Sequence, residues 1–313
     1  MSSGTSSSGV TATGAPRPGG SGLLGDLTVS RVGYGAMQLE RLHDDRAAAV
    51  RLLRRAVELG VDHVDTADFY GDGFVNDVIR EALRPEDGVV VVSKVGAVVD
   101  PDGPFPLRPA QRPGELRASV EANLKSLGVE RIPVVNLRRL DVGPGIRATG
   151  AQVVDVDDQL AVMTALRDEG KIGGIGLSAV SLDVLRRALP AGIVCVQNAY
   201  SLVGRDHEDM LALCAAEGIA WVPYFPLGGA FPGMPKVVEQ PAVTEAAARL
   251  GRTPSQIGLA WLLRHAPNVL LIPGTASAAH LEENVAAGEI ALDDETLAAL
   301  DAVPSQSTNI LLG

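Results

Sequence analysis

Asp65 and Tyr70 follow the apolar start of Val64-Asp65-Thr66-Ala67-Asp68-Phe69-Tyr70-Gly71, and Lys94 ends the run Val89-Val90-Val91-Val92-Ser93-Lys94. Apolar and β-branched residues that break into polar ones describe buried strands carrying polar groups to their C-terminal ends. In a parallel β/α protein that end is where chemistry sits, because the loops vary while the strands hold their first residues rigid. An ammonium held near a carboxylate and a phenol favours the phenolate, which makes Tyr70 a usable proton donor near neutral pH with Asp65 and Lys94 as its partners. The plainer alternative is an Asp65–Lys94 ion pair that only ties two strand ends together.

Positioning these residues requires a repeating frame, and the chain supplies one. Asp44 or Asp45 can cap a helix that carries Ala49, Leu52, Leu53, Ala56 and Val57 at helical spacing and stops at Gly60. Strand patterns at 61–65, 89–94, 132–137, 172–177, 193–197, 219–224 and 269–272 alternate with helical patterns, the last of them over 278–287 and 294–300. With a short strand or hairpin over 27–37 at the start, this counts as eight strand-helix units and predicts a single-domain α/β fold, a (β/α)8 TIM barrel. A C-terminal tail is expected to fold across the barrel mouth. Residues 97–113 and 141–156 read as long loops above strand ends, the first of them a substrate-contacting flap. The strand over 132–137 delivers Arg138 to the same end of the barrel. Ahead of the last barrel helix, Gly274, Thr275 and Ser277 offer backbone N–H and hydroxyl donors for a phosphate at a helix N-terminus.

These motifs resemble the aldo-keto reductase family: Asp65-Thr66-Ala67 through Tyr70-Gly71, Ser93-Lys94, Gly176-Leu177-Ser178, Val196-Gln197-Asn198, Tyr224-Phe225-Pro226-Leu227-Gly228, and Ile272-Pro273-Gly274-Thr275 running on to Glu283-Asn284. The resemblance covers nearly everything from Gly33 onward, in the family's order. It implies an NAD(P)H-dependent oxidoreductase in which Tyr70 protonates a carbonyl oxygen as hydride arrives. It assigns Ser178 and Gln197 to the nicotinamide amide, Tyr224 to stacking on its ring, Pro226 and Leu227 to the cofactor groove, and His280, Glu283 and Asn284 to the adenosine end. His280 stands where many relatives carry an Arg for the 2′-phosphate, so the expected cofactor is NADPH, with NADH possible. The expected partner is a small-molecule carbonyl substrate.

Two positions depart from the family. Asn136-Leu137-Arg138-Arg139 places Arg138 where the family usually has a His, and Ala179 replaces its usual Asn. A guanidinium stays charged and cannot shuttle a proton, but it can steady a developing alkoxide or orient an anionic or acceptor-rich substrate. The Val134-Val135-Asn136-Leu137-Arg138 phrase is similar to a bacterial subgroup of the family that includes pyridoxal reductases. An inward salt bridge from Arg138 to Asp65 is the alternative. The departures also leave open a dinucleotide-binding barrel with a regulatory role, or a lyase or isomerase using Tyr70 and Lys94.

Composition narrows the setting. The 313 residues are 46% hydrophobic with a net charge of -11, which argues against a broad nucleic-acid surface or an anionic membrane partner. No apolar run approaches the ~18 residues of a membrane helix. Cys195 and Cys214 read as core residues, in keeping with a reducing cytoplasm, and no Cys/His spacing suggests a metal. His63, two residues before Asp65 on the same strand, is expected to face the barrel interior as a satisfied core residue. Residues 1–22, nearly all Ser, Gly, Thr, Ala and Pro, are expected to be a disordered extension ahead of a 23–313 barrel domain. Oligomeric state stays open.

Overall fold

The computed structural model describes residues 9–229 and 232–307. An antiparallel hairpin comes first, β1 (Ser21–Leu24) and β2 (Leu27–Ser30). Strand β3 (Tyr34–Gly35) leads to α1 (Arg46–Glu58), β4 (His63–Asp65) to α2 (Phe74–Ala82), and β5 (Val90–Val95), through a small hairpin of β6 (Ala97–Val99) and β7 (Leu107–Pro109), to α3 (Pro113–Leu127). Then come β8 (Ile132–Arg138) and α4 (Val156–Asp168), β9 (Ile172–Ser178) and α5 (Leu182–Ala188), and β10 (Ile193–Gln197) and α6 (Glu208–Ala216). Strand β11 (Ala220–Trp221) is followed by α7 (Pro241–Leu250) and α8 (Pro254–His265), and after residues 269–272 come α9 (Ala278–Ala286) and α10 (Asp294–Asp301).

The sheet order β3-β4-β5-β8-β9-β10-β11 follows the chain, with every neighbouring pair parallel. Residues 269–272 close the circle as the eighth strand, bridging Val269 to Trp221 on one side and Leu271 to Val32 on the other. The chain is therefore the (β/α)8 barrel that the alternation predicts. Closure demands glycine at the seam: a Cβ on Gly35 would stand 2.4 Å from the Ile272 carbonyl oxygen, and one on Gly274 would stand 2.6 Å from that of Gly35.

Alternation along the strands divides the core in two. Val92, Val134, Cys195, Val222, Leu270 and Ile272 face inward and meet Leu24 and Val29 of the hairpin, which plug the N-terminal end of the barrel. Val135, Leu137, Ile175, Leu177 and Val196 face outward against the helices. Helix α1 begins as its sequence dictates, Asp45 accepting from the Ala48 amide, and Gly60 at φ 90° ends the turn that follows.

Residues 9–22 correct the expectation of a disordered extension. Arg17 donates to the buried Asp62 carboxylate at 2.8 Å, the Val32 amide donates to Pro18 O at 3.1 Å, and β1 begins at Ser21. Low apolar content does not bring disorder here, because main-chain hydrogen bonds and one ion pair hold this segment rather than apolar area. Residues 1–8 lie outside the described residues. Since Asp62 also accepts from the Ser30 amide at 2.6 Å, Arg17→Ala leaves a buried carboxylate without its cation. We expect a loss of about 3 kcal/mol, read as a lower Tm in thermal denaturation; an unchanged Tm would show the pair to be idle.

The flap over 97–113 is also more ordered than a plain loop, since β6 and β7 pair within it. The expected tail across the mouth can be followed to residue 307, along a stretch where Gln306 N donates to Val203 O and Ser307 Oγ to Asp206. Residues 308–313 lie outside the described residues.

Candidate active site

Strands β4 and β5 are neighbours in register, Asp65 beside Val92, so their C-terminal ends bring Asp65, Tyr70 and Lys94 into one cluster. The Lys94 ammonium is buried and has three hydrogens to place. It donates to Asp65 Oδ1, to Thr66 O at 3.1 Å and to the Tyr70 hydroxyl oxygen at 3.1 Å. Burial alone would push its pKa down, but the Asp65 carboxylate and Tyr70 outweigh that, and the pKa is raised. Lys94 therefore stays an ammonium. Because it donates to the Tyr70 oxygen, the phenol's own proton is left to point elsewhere, and negative charge left on that oxygen would be stabilised.

Asp65 is held from a second side. Gln197 Nε2 donates to Asp65 Oδ2 at 2.7 Å, while Gln197 Oε1 is buried with no partner among the described residues. The family resemblance assigns Gln197 to a nicotinamide amide and gives no sign of the Asp65 contact. An unpartnered acceptor beside Ser178, which is also buried at the end of β9, fits a carboxamide N–H. Ala179 follows at φ 53°, a left-handed conformation in which Asn is several-fold enriched. Its amide donates to Gln197 O at 3.0 Å and its carbonyl accepts from the Asp141 amide at 2.9 Å, so the backbone turn persists without the Asn side chain.

Arg138 makes no salt bridge to Asp65, which is occupied by Lys94 and Gln197. Its guanidinium lies over the Phe69 ring at 5.9 Å, and Phe69 meets Tyr70 edge-on at 5.2 Å. Among the described residues no carboxylate pairs with it. Two further side chains fix this corner. Gln111, from the loop after β7, donates to Gly96 O at 2.6 Å and Arg138 O at 2.7 Å, stapling the ends of β5 and β8. Asn198 exchanges hydrogen bonds with the Val180 backbone and so clamps the loop after β9. No local pattern marks Gln111, because it acts on backbone distant in sequence, whereas Asn198 stands in the Val196-Gln197-Asn198 motif with no role assigned to it there.

Tyr224 is half-buried, edge-on to Phe225 at 5.1 Å, and burial raises its pKa. Phe225 has φ 55°, a left-handed backbone conformation uncommon for a bulky residue. Pro226 is half-buried in the same turn, while Leu227 packs on α8, where a Cβ at Gly258 would come within 2.9 Å of it. At the far end, Ser277 caps α9 and its amide donates to Thr275 Oγ1 at 3.0 Å, leaving the Ala278 and Ala279 amides without a helical acceptor. Gly274 and His280 are exposed there, and Glu283 and Asn284 are half-exposed on α9. A larger recess, about 300 Å³ between Gln111, Arg139, Arg147 and residues 152–154, includes none of Asp65, Tyr70, Lys94 and Arg138.

His63 corrects a further expectation. It is 2% exposed and faces inward, but neither ring nitrogen has a partner among the described residues. Burial lowers its pKa to about 4, against the opposing pull of Asp62 and Asp65. Between the ordinary His value of about 6.5 and 4 the unfolded chain binds the proton and the folded chain does not, so stability falls as pH drops through that window. At ~1.4 kcal/mol per pH unit the loss approaches about 3 kcal/mol, complete below 4. Denaturant midpoints of wild type and His63→Asn across this range check it; parallel curves would assign the acid loss to other groups.

Among the described residues, no cluster of His, Cys, Asp and Glu could hold a metal ion, and no helix is long and apolar enough to cross a membrane. The family model described as Aldo/keto reductase family matches residues 31–304. Pyridoxine 4-dehydrogenase of Escherichia coli K12 is 42% identical over 287 residues, covering 90% of this chain and 96% of that one. Among solved structures, an aldo-keto reductase from Klebsiella pneumoniae in complex with NADPH superposes with a TM-score of 0.75 at 27% identity, covering 91% of this chain and 95% of that one. A structure of aldo/keto reductase from the same organism with NADP and acetate gives a TM-score of 0.74 at 28% identity, covering 91% and 96%.

Proposed function

Because the chain belongs to the aldo/keto reductase family, we propose that it reduces an aldehyde or ketone to an alcohol, with Tyr70 as the general acid. A bound reduced nicotinamide dinucleotide supplies the hydride. The observation that carries the reading is the ammonium of Lys94, whose three hydrogens go to Asp65, Thr66 O and the Tyr70 oxygen. Tyr70 can then give its proton to a carbonyl oxygen while Lys94 stabilises the phenolate that remains, and Asp65 keeps Lys94 charged in a buried site.

Gln197 Oε1 and Ser178 would hold the carboxamide, Tyr224 the ring face, and Pro226 and Leu227 the groove wall. Gly274, Thr275, Ser277 and the first turn of α9 would receive a phosphate, with His280, Glu283 and Asn284 beside the adenosine. NADPH is the preferred cofactor in this reading. The solved relatives with NADPH and NADP support it. Two free, buried cysteines are in keeping with a reducing cytoplasm.

Arg138, stacked on Phe69 without a carboxylate partner, would grip an anionic or acceptor-rich substrate. The likeness to a pyridoxine 4-dehydrogenase makes pyridoxal the first such compound to try. The deciding experiment follows NADPH oxidation at 340 nm, the reduced nicotinamide band, across a panel of aldehydes that includes pyridoxal. Oxidation with at least one aldehyde supports the reading, whereas NADPH binding without turnover on any would favour a regulatory barrel. In the same assay, Arg138→His should lower kcat/KM on the charged or acceptor-rich substrate by ~10-fold or more and leave a plain neutral aldehyde nearly unaffected. Equal effects on both would reduce Arg138 to scaffolding.

A further inference from the structure

His63 has no part in the proton transfer proposed above, yet it sits two residues before Asp65 on β4 and faces the same interior. Its ring fits there only because position 33 is glycine: a Cβ on Gly33 would lie 2.2 Å from His63 Nε2. Buried polar groups in native proteins are paired in the great majority, and an orphaned one carries its full desolvation cost. Both nitrogens of His63 are buried without a partner among the described residues. The ring borders a small interior space shared with Asp65, Gln197 and Cys195, walled otherwise by apolar side chains such as Leu24, Val92 and Ile272.

That space measures about 10 Å³, close to the room one water needs. A buried water also needs two to four polar partners. Asp65 accepts once at each oxygen, from Lys94 and from Gln197 Nε2, so each oxygen keeps a free lone pair. Gln197 Oε1 has capacity as well. The Cys195 thiol is spent on Asn136 Oδ1 at 3.2 Å, and burial raises its pKa, so it is a neutral wall.

We infer that a single internal water sits beneath the Asp65–Lys94 pair, bound to a His63 ring nitrogen and donating to the Asp65 carboxylate, and that His63 is a positioning residue for Asp65. Neutral His63 suits the task, since it offers one N–H donor and one nitrogen acceptor and adds no charge to the barrel. The carboxylate is then fixed from three directions, by Lys94, by Gln197 and, through water, by the ring below. Lys94 and the Tyr70 oxygen inherit that orientation. The kinetic part rests on Tyr70 acting as the acid; the binding of water does not.

High-resolution crystallography of the wild-type protein tests the site directly. One ordered water within hydrogen-bond distance of a His63 nitrogen and an Asp65 oxygen is expected. A space with no density, or a water that touches only one of the two, overturns the inference. Kinetics test the positioning role: His63→Leu should lower kcat by ~10-fold, the scale of one lost hydrogen bond to a charged group, with KM for cofactor and aldehyde unchanged. His63→Asn, which can still bind the water, should recover most of the loss. Equal defects in the two variants, or KM rising in step with falling kcat, would leave His63 a packing residue. Should His63→Leu fail to fold, His63→Asn and the wild-type density decide. Wild-type protein that turns over no aldehyde would defeat the reductase reading, and the density would still settle the water.

Discussion

Tyr70→Phe should lower turnover by the ~10²–10⁴ that a positioned general acid supplies, while cofactor binding by fluorescence titration stays intact. The substitution removes the one hydroxyl that accepts from Lys94 within the cluster and leaves the ring against Phe69. Stability should change little, because Tyr70 is only half-buried and its ring packing is retained. Full activity in Tyr70→Phe would remove Tyr70 as the acid. A fall in kcat accompanied by lost cofactor binding would instead point to a collapsed site.

Lys94→Met should be the most damaging single change, because it breaks a buried ion pair and leaves Asp65 as an uncompensated charge in the barrel interior. Losses of this kind run to about 3–5 kcal/mol, against a total stability of ~5–15 kcal/mol for a domain. Activity should fall at least as far as in Tyr70→Phe, since the phenolate loses its cation. The double change Asp65→Asn with Lys94→Met removes both charges, so it should regain much of the lost stability and none of the activity. Urea denaturation of the three variants beside a turnover assay checks both halves. A double variant no more stable than Lys94→Met would show that the pair's charge is not what destabilises the single change.

Asp65, Tyr70 and Lys94 were legible in the sequence because Lys94 follows the unbroken apolar run of β5, while Asp65 and Tyr70 stand at and past the end of β4 in a stretch that resembles the family's, and strand ends in a parallel barrel converge by topology. The same logic placed Arg138 at the mouth and His63 in the interior. What the sequence did not show is pairing across the barrel. That Gln197 would donate to Asp65, 132 positions away, depends on the depth at which β10 and β4 sit relative to one another, and no local pattern encodes this. Gln111 escaped notice for a similar reason: its amide works on the carbonyls of Gly96 and Arg138, which every residue type presents alike. The N-terminal segment was misjudged because composition measures apolar area, whereas Arg17 and the backbone of Pro18 bind through polar contacts.

The seam between the first and last strands sets a timetable for the newly made chain. Arg31 donates to Leu263 O, Ala266 O and Val269 O, the last of these 238 positions away. During synthesis at ~5–20 residues per second, the opening hairpin with Leu24 and Val29 therefore waits on the order of ten to fifty seconds for the segment that covers its flank. Until then the growing sheet has open edges at Tyr34 and at whichever strand emerged last, each a template for pairing with another nascent chain. A chain released before Leu271 emerges could not close at all. Ribosome-bound fragments ending short of this point should be held by chaperones or aggregate, and those extending past α9 should become protease-resistant in one step.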